Sequence, residues 1–429
     1  MILIILTLAL SGTAQANGVE GLALALQDPF DSRLAAVAQD KPAEKPPADV
    51  PITLSWRDGL QFKADDGNFQ ATLGGRVLAH YRTIFDRPDN GARTNPDTLY
   101  LRQARIDFQG KLYKEFDFRL YLDFPTGAAA VAGTVQDAYL GWSRHPEFTV
   151  KVGQFKVPFS QEQTTTLRAT DFVERTVLDR LAPGRDLGVL FSGKIGAFEY
   201  EVGAFDGAGR AVVDNNDEKD VAARFRVTPI DGLRLGVAGT FGDVDSGSFN
   251  ALDLTTTELQ IQFLDATAGV VDGKRTRIGA ELTFLRESFG LRAEWVRRTD
   301  TVTQGTLDED DVDATAWYAG VSWLLTGEKK TLEARIVPKS SFADGGWGAF
   351  ELAVRAAGLS IDDEIFSAGV APAAGNADKV TTFTVGINWY LTRNVRISPN
   401  FVVEKFNEEI APNDKDRFHG ALVRFQIDF

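Results

Sequence analysis

The stretch FTVGINWYLTRNVRISPNFVVE, from Phe383 to Glu404, alternates apolar and polar residues on both sides of a short TRN break. In its first half, Phe383, Val385, Ile387 and Trp389 share one face, and the residues between them form the other. Alternation with a period of two predicts β-strands that have one apolar face. A soluble, half-buried sheet gives the same pattern, so the alternation alone does not say whether that face contacts a protein core or lipid.

The same alternation recurs in segments of about ten residues from Trp56 to the end of the chain. In RTRIGAELTFL (Arg275–Leu285), Arg277 and Glu281 lie on one face and Ile278 lies on the other. A basic side chain exposed to lipid at mid-depth costs about 2–4 kcal/mol, so the apolar faces are expected to contact lipid and the charged faces a wet lumen. Roughly sixteen such segments, joined by short turns and long polar loops, predict an all-β fold, a transmembrane antiparallel up-and-down β-barrel.

Aromatic residues near strand ends support the membrane interpretation, because transmembrane barrels carry aromatic girdles at both interfaces. The aromatic residues assigned to these girdles are Trp317, Trp323, Trp389, Tyr390 and Phe401. A β-sandwich uses fewer strands, and a propeller would show a repeat of fixed length, which the sequence lacks. No segment approaches the ~18 consecutive apolar residues of a helical span.

Composition restricts the possible functions. The chain has 429 residues, a formal net charge of −14 and a pI of about 4.9, which argues against a general nucleic-acid-binding surface. An internal channel can nevertheless have a local field of the opposite sign. There are no cysteines, and His80, His145 and His419 are far apart in sequence. We therefore predict no metal site, no cofactor and no enzymatic activity.

Both ends of the chain carry export features. Residues 1–16 (MILIILTLALSGTAQA) combine a short apolar run with an A-x-A pattern and predict a signal peptide. Residues 17–51 predict a short helix within Val19–Gln39 followed by a Pro-rich linker, and residues 52–429 predict the barrel. The final ALVRFQIDF ends in Phe429, as expected of a terminal strand offered to the barrel-assembly machinery. These features predict a place among the lipids of a Gram-negative outer membrane.

Several stretches in succession carry a family resemblance. They are WRDGLQFKADDGNFQATLGGRV, LYLRQARIDFQGKLYKEFDFRLYLDF, FTVKVGQFKVPFSQEQTTTLRATDFVERTVLDRL and GINWYLTRNVRISPNFV. From Trp56 onward the chain resembles the phosphate-selective porins O and P. The resemblance implies a sixteen-stranded, usually trimeric barrel with one loop folded inward to narrow the channel. The matching loop is Gln154–Arg175, which lacks strand alternation.

The resemblance also implies that basic side chains on this loop and on the facing wall set the selectivity of the channel. The residues predicted to line the constriction are Arg105, Arg119, Tyr121, Lys151, Lys156, Arg168 and Arg175. Fixed cations in a narrow passage replace part of the hydration shell of an anion. An alternative for Arg168 and Arg175 is structural, because each can pair with Asp171, Glu174 or Glu162 to hold the loop against the wall.

The chain also departs from the family pattern. Phosphate-binding members have paired arginines where this chain has Arg102 and Gln103, and a lysine near Gln163. Their arginine-rich middle stretch corresponds to Phe241–Lys274, which here has no arginine and several acidic residues. We therefore expect a porin for passive diffusion of small hydrophilic solutes, with selectivity for phosphate or other anions left open. The alternatives are a plugged barrel serving as an anchor or adhesin, and a barrel hydrolase, which would need a nucleophile beside a histidine.

Overall fold

The structure is a computed structural model that describes most of the chain from residue 49 onward. The described residues are 49–86, 97–124, 134–210, 219–244, 253–266, 270–303, 310–367, 370–411 and 414–429. The predicted signal peptide (1–16), the predicted helix in Val19–Gln39 and most of the predicted linker lie outside them.

Twenty β-strands form within the described residues, and most of them have the nine or more residues that a tilted strand needs to span a bilayer. They are β1 (Ile52–Trp56), β2 (Leu60–Ala64), β3 (Phe69–Ile84), β4 (Thr98–Leu112), β5 (Phe116–Asp123), β6 (Thr134–His145), β7 (Phe148–Lys156), β8 (Arg185–Ile195), β9 (Phe198–Phe205), β10 (Asp220–Ile230), β11 (Leu233–Val244), β12 (Leu254–Thr255), β13 (Gln262–Leu264), β14 (Val270–Arg286), β15 (Phe289–Thr303), β16 (Asp310–Leu324), β17 (Ala349–Ile361), β18 (Lys379–Tyr390), β19 (Val395–Ile410) and β20 (Lys415–Asp428). The helical turns are α1 (Gln161–Thr164), α2 (Glu364–Ser367) and three 3-10 turns at Leu167–Ala169, Val177–Arg180 and Phe342–Asp344. Among the described residues, no helix is both long enough and apolar enough to cross a membrane.

Strands β3 to β11 and β14 to β20 form a closed barrel of sixteen antiparallel strands. Each strand pairs with the next along the chain, and β20 closes the barrel against β3, with Ile427 opposite Val77. The hairpin of β1 and β2 extends the wall beside the first residues of β3, and β12 pairs with β13. The predicted up-and-down barrel of about sixteen strands is confirmed.

The apolar faces of the strands point out of the barrel and the charged faces point in. In β14, Ile278 is 48% exposed on the outer surface, whereas Arg277 and Glu281 are each 8% exposed inside. The outward set of β18 follows the same rule, with Phe383 and Ile387 both 47% exposed. The inversion predicted from the cost of placing ionised side chains in lipid is thus present in the structure.

Of the residues assigned to the aromatic girdles, Tyr390 does not belong there. Trp317 and Trp323 point outward and are 42% and 58% exposed, but Tyr390 is 8% exposed and lies inside the barrel. Its hydroxyl donates to Glu351 Oε2 at 2.7 Å. Tyr390 follows the outward Trp389 directly, so the period of two already places it on the lumen side.

Infolded chain segments fill one side of the barrel interior. Residues 157–184, between β7 and β8, pack with residues 253–266, between β11 and β14, in one hydrophobic cluster. The cluster also includes inward-facing side chains of β14 to β20, against which the infolded segments pack, among them Val296, Phe406 and Leu422. The passage that remains therefore runs beside β3 to β8, which carry most of the predicted site residues.

Candidate functional site

The loop that narrows the lumen, residues 157–184, follows β7 directly. Pro158 has no N–H to continue the strand ladder, and the single helical turn α1 is capped by Ser160, whose Oγ accepts from Gln163 N at 3.1 Å. The predicted bounds, Gln154–Arg175, start too early, because Gln154 to Lys156 still belong to β7. They also end too early, since the loop continues to Gly184.

Arginines of the barrel wall hold this loop by its backbone. Their guanidinium groups donate to loop carbonyls that would otherwise be buried without a hydrogen bond. The bonds run from Arg277 to Leu181 O (2.9 Å), Arg298 to Arg180 O (3.1 Å), Arg355 to Glu174 O (3.0 Å), Arg396 to Thr170 O (3.0 Å) and Arg424 to Leu167 O (2.9 Å). These guanidinium groups therefore hydrogen-bond to the loop backbone and hold the loop in place, instead of being solvated by water in the passage.

Acidic side chains complete the attachment. Glu294 accepts from the backbone N–H groups of Gln161 and Glu162, both at 3.0 Å, at the start of α1. Glu174 accepts from Arg102 Nε at 2.8 Å and lies 3.0 Å from the His80 ring. Burial alone would raise the pKa of Glu174, but the Arg102 and His80 partners lower it well below its usual value. Glu174 therefore stays ionised and keeps the loop on the wall.

A second anchor comes from residues 325–348, between β16 and β17. Lys330 pairs with Asp171 of the loop at 2.5 Å and with Glu351 of the wall. Arg335 of the same segment pairs with Asp58 at 2.9 Å and with Asp428 at 2.5 Å. The loop is thus held from the wall and from the short-turn end of the barrel together.

Three cavities among the described residues lie along the open passage, and we name them outer, inner and rim. The outer cavity, about 430 Å³ at the long-loop end, has Arg82, Arg102, Arg175, Arg180, Glu174 and Asp179 as its charged residues. The inner cavity, about 460 Å³ towards the short-turn end, has Arg57, Arg76, Arg168, Arg335, Arg393, Asp58, Asp107 and Asp428. The rim cavity, about 570 Å³, has Lys63, Lys111, Lys151 and Asp117. Basic side chains outnumber side-chain carboxylates in each.

Three predicted site residues meet on the wall around Tyr121. The Arg105 and Arg119 guanidinium carbons lie 5.1 and 4.5 Å from the centre of its ring, and Arg105 donates to its hydroxyl at 3.3 Å. Both arginines also have acidic partners, since Arg105 pairs with Asp123 at 2.8 Å and Arg119 with Asp107 at 2.7 Å. Their charges are therefore largely balanced within the wall.

Arg76 belongs to the same group, although the sequence analysis missed it. It lies directly opposite Arg105 in the β3–β4 ladder, donates to the Tyr121 hydroxyl, and donates to Thr166 Oγ1 of the loop at 2.7 Å. No carboxylate of the described residues lies within ion-pair distance of it. The alternation of residues in LGGRV could have placed Arg76 on the lumen side. The strand register that sets it opposite Arg105 could not be predicted from the sequence.

Arg168 is the predicted site residue that lies on the loop next to the inner cavity. It is half-buried and lines the inner cavity beside Arg76 and Arg335. Within the described ranges, its guanidinium has no carboxylate partner, although pairing with loop acids was one of the two roles expected of it. Its backbone carbonyl accepts from Gln426 at 3.4 Å.

Lys156 and Arg175 bind the loop itself. Lys156 Nζ donates to the carbonyls of Gln163 (2.7 Å) and Thr164 (3.0 Å), and Arg175 donates to Glu162 O and Thr165 O, both at 3.0 Å. Arg175 thus binds within the loop, but through carbonyls and Asp179 (3.5 Å) rather than the carboxylates of Asp171, Glu174 or Glu162, and it also lines the outer cavity. A contact of either residue with solute stays a prediction.

Lys151 lies apart from the Tyr121 group. Its ammonium is 4.6 Å from the centre of the Tyr139 ring, and it lines the rim cavity. The structure therefore spreads the predicted residues along the passage instead of gathering them at one point.

One acidic residue of the stretch Phe241–Lys274, where the chain departs from the arginine-rich family pattern, is neutralised. Glu258 is 2% exposed, pairs with Arg355 at 3.1 Å and accepts from the Thr384 hydroxyl at 2.8 Å. Burial raises the pKa of Glu258 above its usual value, with the Arg355 charge opposing the shift. This carboxyl therefore adds no free negative charge to the passage.

Comparison with known proteins agrees with this architecture. The sequence profile described as "Phosphate-selective porin O and P" matches residues 72–429. Porin O of Pseudomonas aeruginosa is 23% identical over 410 residues, which cover 88% of this chain and 92% of that protein.

Similar folds occur among solved structures. An anion-selective porin from Comamonas acidovorans has a TM-score of 0.54 at 13% identity, covering 84% of this chain and 100% of that one. The outer membrane channel DcaP of Acinetobacter baumannii has a TM-score of 0.57 at 10% identity, covering 86% and 99%. The protein is an outer-membrane channel, as the sequence predicted. Since the profile spans most of its length, the chain belongs to the phosphate-selective porin O and P family.

Proposed function

We propose that this channel lets small hydrophilic solutes diffuse across the outer membrane and prefers anions to cations. One observation carries the proposal, namely the reversal of charge between the whole chain and its passage. The chain has a net charge of −14, yet four arginines face two side-chain carboxylates in the outer cavity, and five face three side-chain carboxylates in the inner one. Excess fixed cations in a confined passage attract anions and repel cations.

We further propose general anion preference rather than a dedicated phosphate site. The arginines nearest the narrow part, Arg102, Arg105 and Arg119, already have carboxylate partners at 2.7–2.8 Å. Desolvating a phosphate requires cations that are not already neutralised. Among the described residues near the Tyr121 group, Arg76 and Arg168 meet that condition, which is few for a mono- or divalent anion that must lose its hydration shell.

The test is electrical. The purified protein in a planar bilayer, under a KCl gradient, should show stable open steps and a reversal potential on the anion-selective side. Phosphate added in titration should reduce the chloride current only at millimolar concentration. Block at micromolar phosphate would establish a dedicated phosphate site instead, and a cation-selective reversal potential would contradict the proposal.

The same recordings separate the channel from its alternatives. A plugged anchor or adhesin would give no stable open steps. We infer that transport involves no chemical step, because the ring nitrogens of His80 contact Glu174 and Arg424 rather than a serine. Substituting His145 and His419, neither of which holds the loop, should leave solute flux unchanged, whereas a hydrolase that used either of them would lose its activity.

We also propose that the channel is a homotrimer, in contact with outer-membrane lipids and inserted by the barrel-assembly machinery through its last strand and Phe429. A solved trimer form of OmpT from Vibrio cholerae has the same fold, with a TM-score of 0.51 at 10% identity. Mass photometry in detergent should give three times the protomer mass, and a single protomer mass would contradict the trimer.

A further inference from the structure

A basic patch lies on the outer surface of the barrel, at the long-loop ends of three adjacent strands. It consists of Lys379 on β18, Lys405 on β19 and Arg417 on β20, which we call the basic patch. All three are exposed, and the Lys379 side chain is 61% exposed. None of the three residues lines the outer, inner or rim cavity.

The direction of their side chains follows from their neighbours. Phe401, four residues before Lys405 and on the same face of β19, is 46% exposed to the outside, whereas Glu404 is 0% exposed on the lumen side. On β20, Phe418 is 1% exposed and faces in, so Arg417 faces out. The basic patch is therefore on the lipid side of the wall.

Lys405 and Arg417 stand directly opposite each other in the β19–β20 ladder. Side chains in such a pair have Cβ atoms about 4.5–5.5 Å apart, and like charges there are destabilising. Thr381 is the partner of Lys405 on the other side, and Lys379 lies two residues from Thr381 on the same face. Within the described ranges, neither Lys405 nor Arg417 has a carboxylate within ion-pair distance.

Another outward-facing cation is neutralised by a carboxylate of the chain itself. Arg297 on β15, 49% exposed on its side chain, is paired with Asp313 on the adjacent strand. In the basic patch, by contrast, only Lys379 has an acidic neighbour, Asp378 at 3.0 Å. The opposed pair of Lys405 and Arg417 is left to be neutralised by something outside the chain.

The position of the basic patch indicates what that partner is. Outward aromatic rings lie directly beneath it, with Phe383 47% exposed and Phe85 stacked on Phe401 at 6.3 Å. In transmembrane barrels, girdles of aromatic residues flank the apolar band at both interfaces. Long loops are extracellular in this class of barrel, so the basic patch is level with the head groups of the outer leaflet.

We propose that the basic patch binds the phosphorylated head group of an outer-leaflet glycolipid, with its acyl chains against the aromatic rings below. Arg417 offers a planar fork that matches phosphate geometry, and Lys405 adds a second charge from the opposite strand. A bound phosphate converts the repulsion of this pair into two attractive contacts. The inference extends the protein's function to a specific lipid contact and does not depend on the anion preference of the pore.

The test uses the full-length protein in detergent and native mass spectrometry. Bis-phosphorylated lipid A and the same lipid with both phosphates removed are each titrated onto wild type, the double variant K405Q/R417Q and the control R297Q. Near a membrane surface each basic residue contributes about a fivefold gain in affinity, so the double variant should bind the phosphorylated lipid about 30-fold more weakly. R297Q should bind it as wild type does, and the dephosphorylated lipid should bind all three proteins weakly.

Three outcomes would overturn the proposal. They are equal binding of the two lipids, unchanged affinity in the double variant, and an equal loss in R297Q, which would indicate a diffuse charge effect. Inorganic phosphate, at the concentration that saturates with lipid A, should not displace the lipid; displacement would indicate a simple anion site. The single-channel conductance of the double variant shows that the barrel is folded, because neither substitution lies in the passage.

Discussion

Reversing the charge of Arg168 should change which ions the channel prefers. The residue lines the inner cavity and has no carboxylate partner in the described part of the chain, so its charge acts on passing ions. At about 6 Å in water, a single charge contributes roughly 0.7 kcal/mol to a monovalent ion. Arg168→Glu therefore shifts anions and cations in opposite directions by about 1.4 kcal/mol each.

Salt reduces that effect. At 0.1 M the screening length is about 10 Å, which leaves somewhat over half of the combined shift, or roughly 1.5 kcal/mol. The chloride-to-potassium permeability ratio should then fall about tenfold, and about threefold for Arg168→Gln. Reversal potentials under a KCl gradient measure this ratio directly. Arg144→Glu is the control, because Arg144 is an exposed cation at the short-turn rim, 59% exposed on its side chain. An unchanged ratio in Arg168→Glu would refute its place in the passage.

Three further outcomes are expected. Asp171→Asn should lower the free energy of unfolding in detergent by roughly 2–3 kcal/mol, because buried Lys330 loses one of two acidic partners. Burial alone would raise the pKa of Asp171, but the Lys330 charge lowers it below its usual value. The extra unfolding free energy of wild type over Asp171→Asn should therefore be complete above about pH 5 and decrease below about pH 4. Ile278→Arg, on the lipid face, should cost about 2–4 kcal/mol in the same chemical denaturation measurement, with Ile278→Val as the near-neutral control. Arg355→Met should raise current noise in the open channel, since the loop loses an anchor and Glu258 loses its partner; unchanged noise would contradict that anchoring role.

The barrel architecture was predictable because it depends on two things: the alternation of apolar and polar residues with a period of two, and the large free-energy cost of exposing a charged side chain to lipid. In β14, placing Arg277 and Glu281 inside leaves Ile278 no place but the lipid face, and no tertiary information is needed to see it. The prediction that Tyr390 belongs to the outward aromatic girdle was wrong for a local reason. Tyr390 was grouped with outward aromatics by residue type, while its position next to Trp389 already placed it inside.

The details of the site were less predictable, because they depend on contacts between residues far apart in sequence. Arg76 joins Tyr121 only through the register of β3, β4 and β5, which alternation does not fix. Whether an arginine is free or committed depends on where the carboxylates and carbonyls of the loop fall. Arg168 and Arg175 are alike in sequence, yet one has no acidic partner among the described residues and the other binds loop carbonyls.

The central claim is the orientation of the wall, and the chain suits a direct test because it has no cysteine. Single cysteines placed in turn from Arg277 to Leu282 can carry a spin label in lipid vesicles, with collisions against oxygen and against a water-soluble nickel complex measured at each site. Oxygen contact should peak at positions 278, 280 and 282, and nickel contact at 277, 279 and 281. The opposite phase, or no alternation, would contradict a barrel with lipid outside and water within.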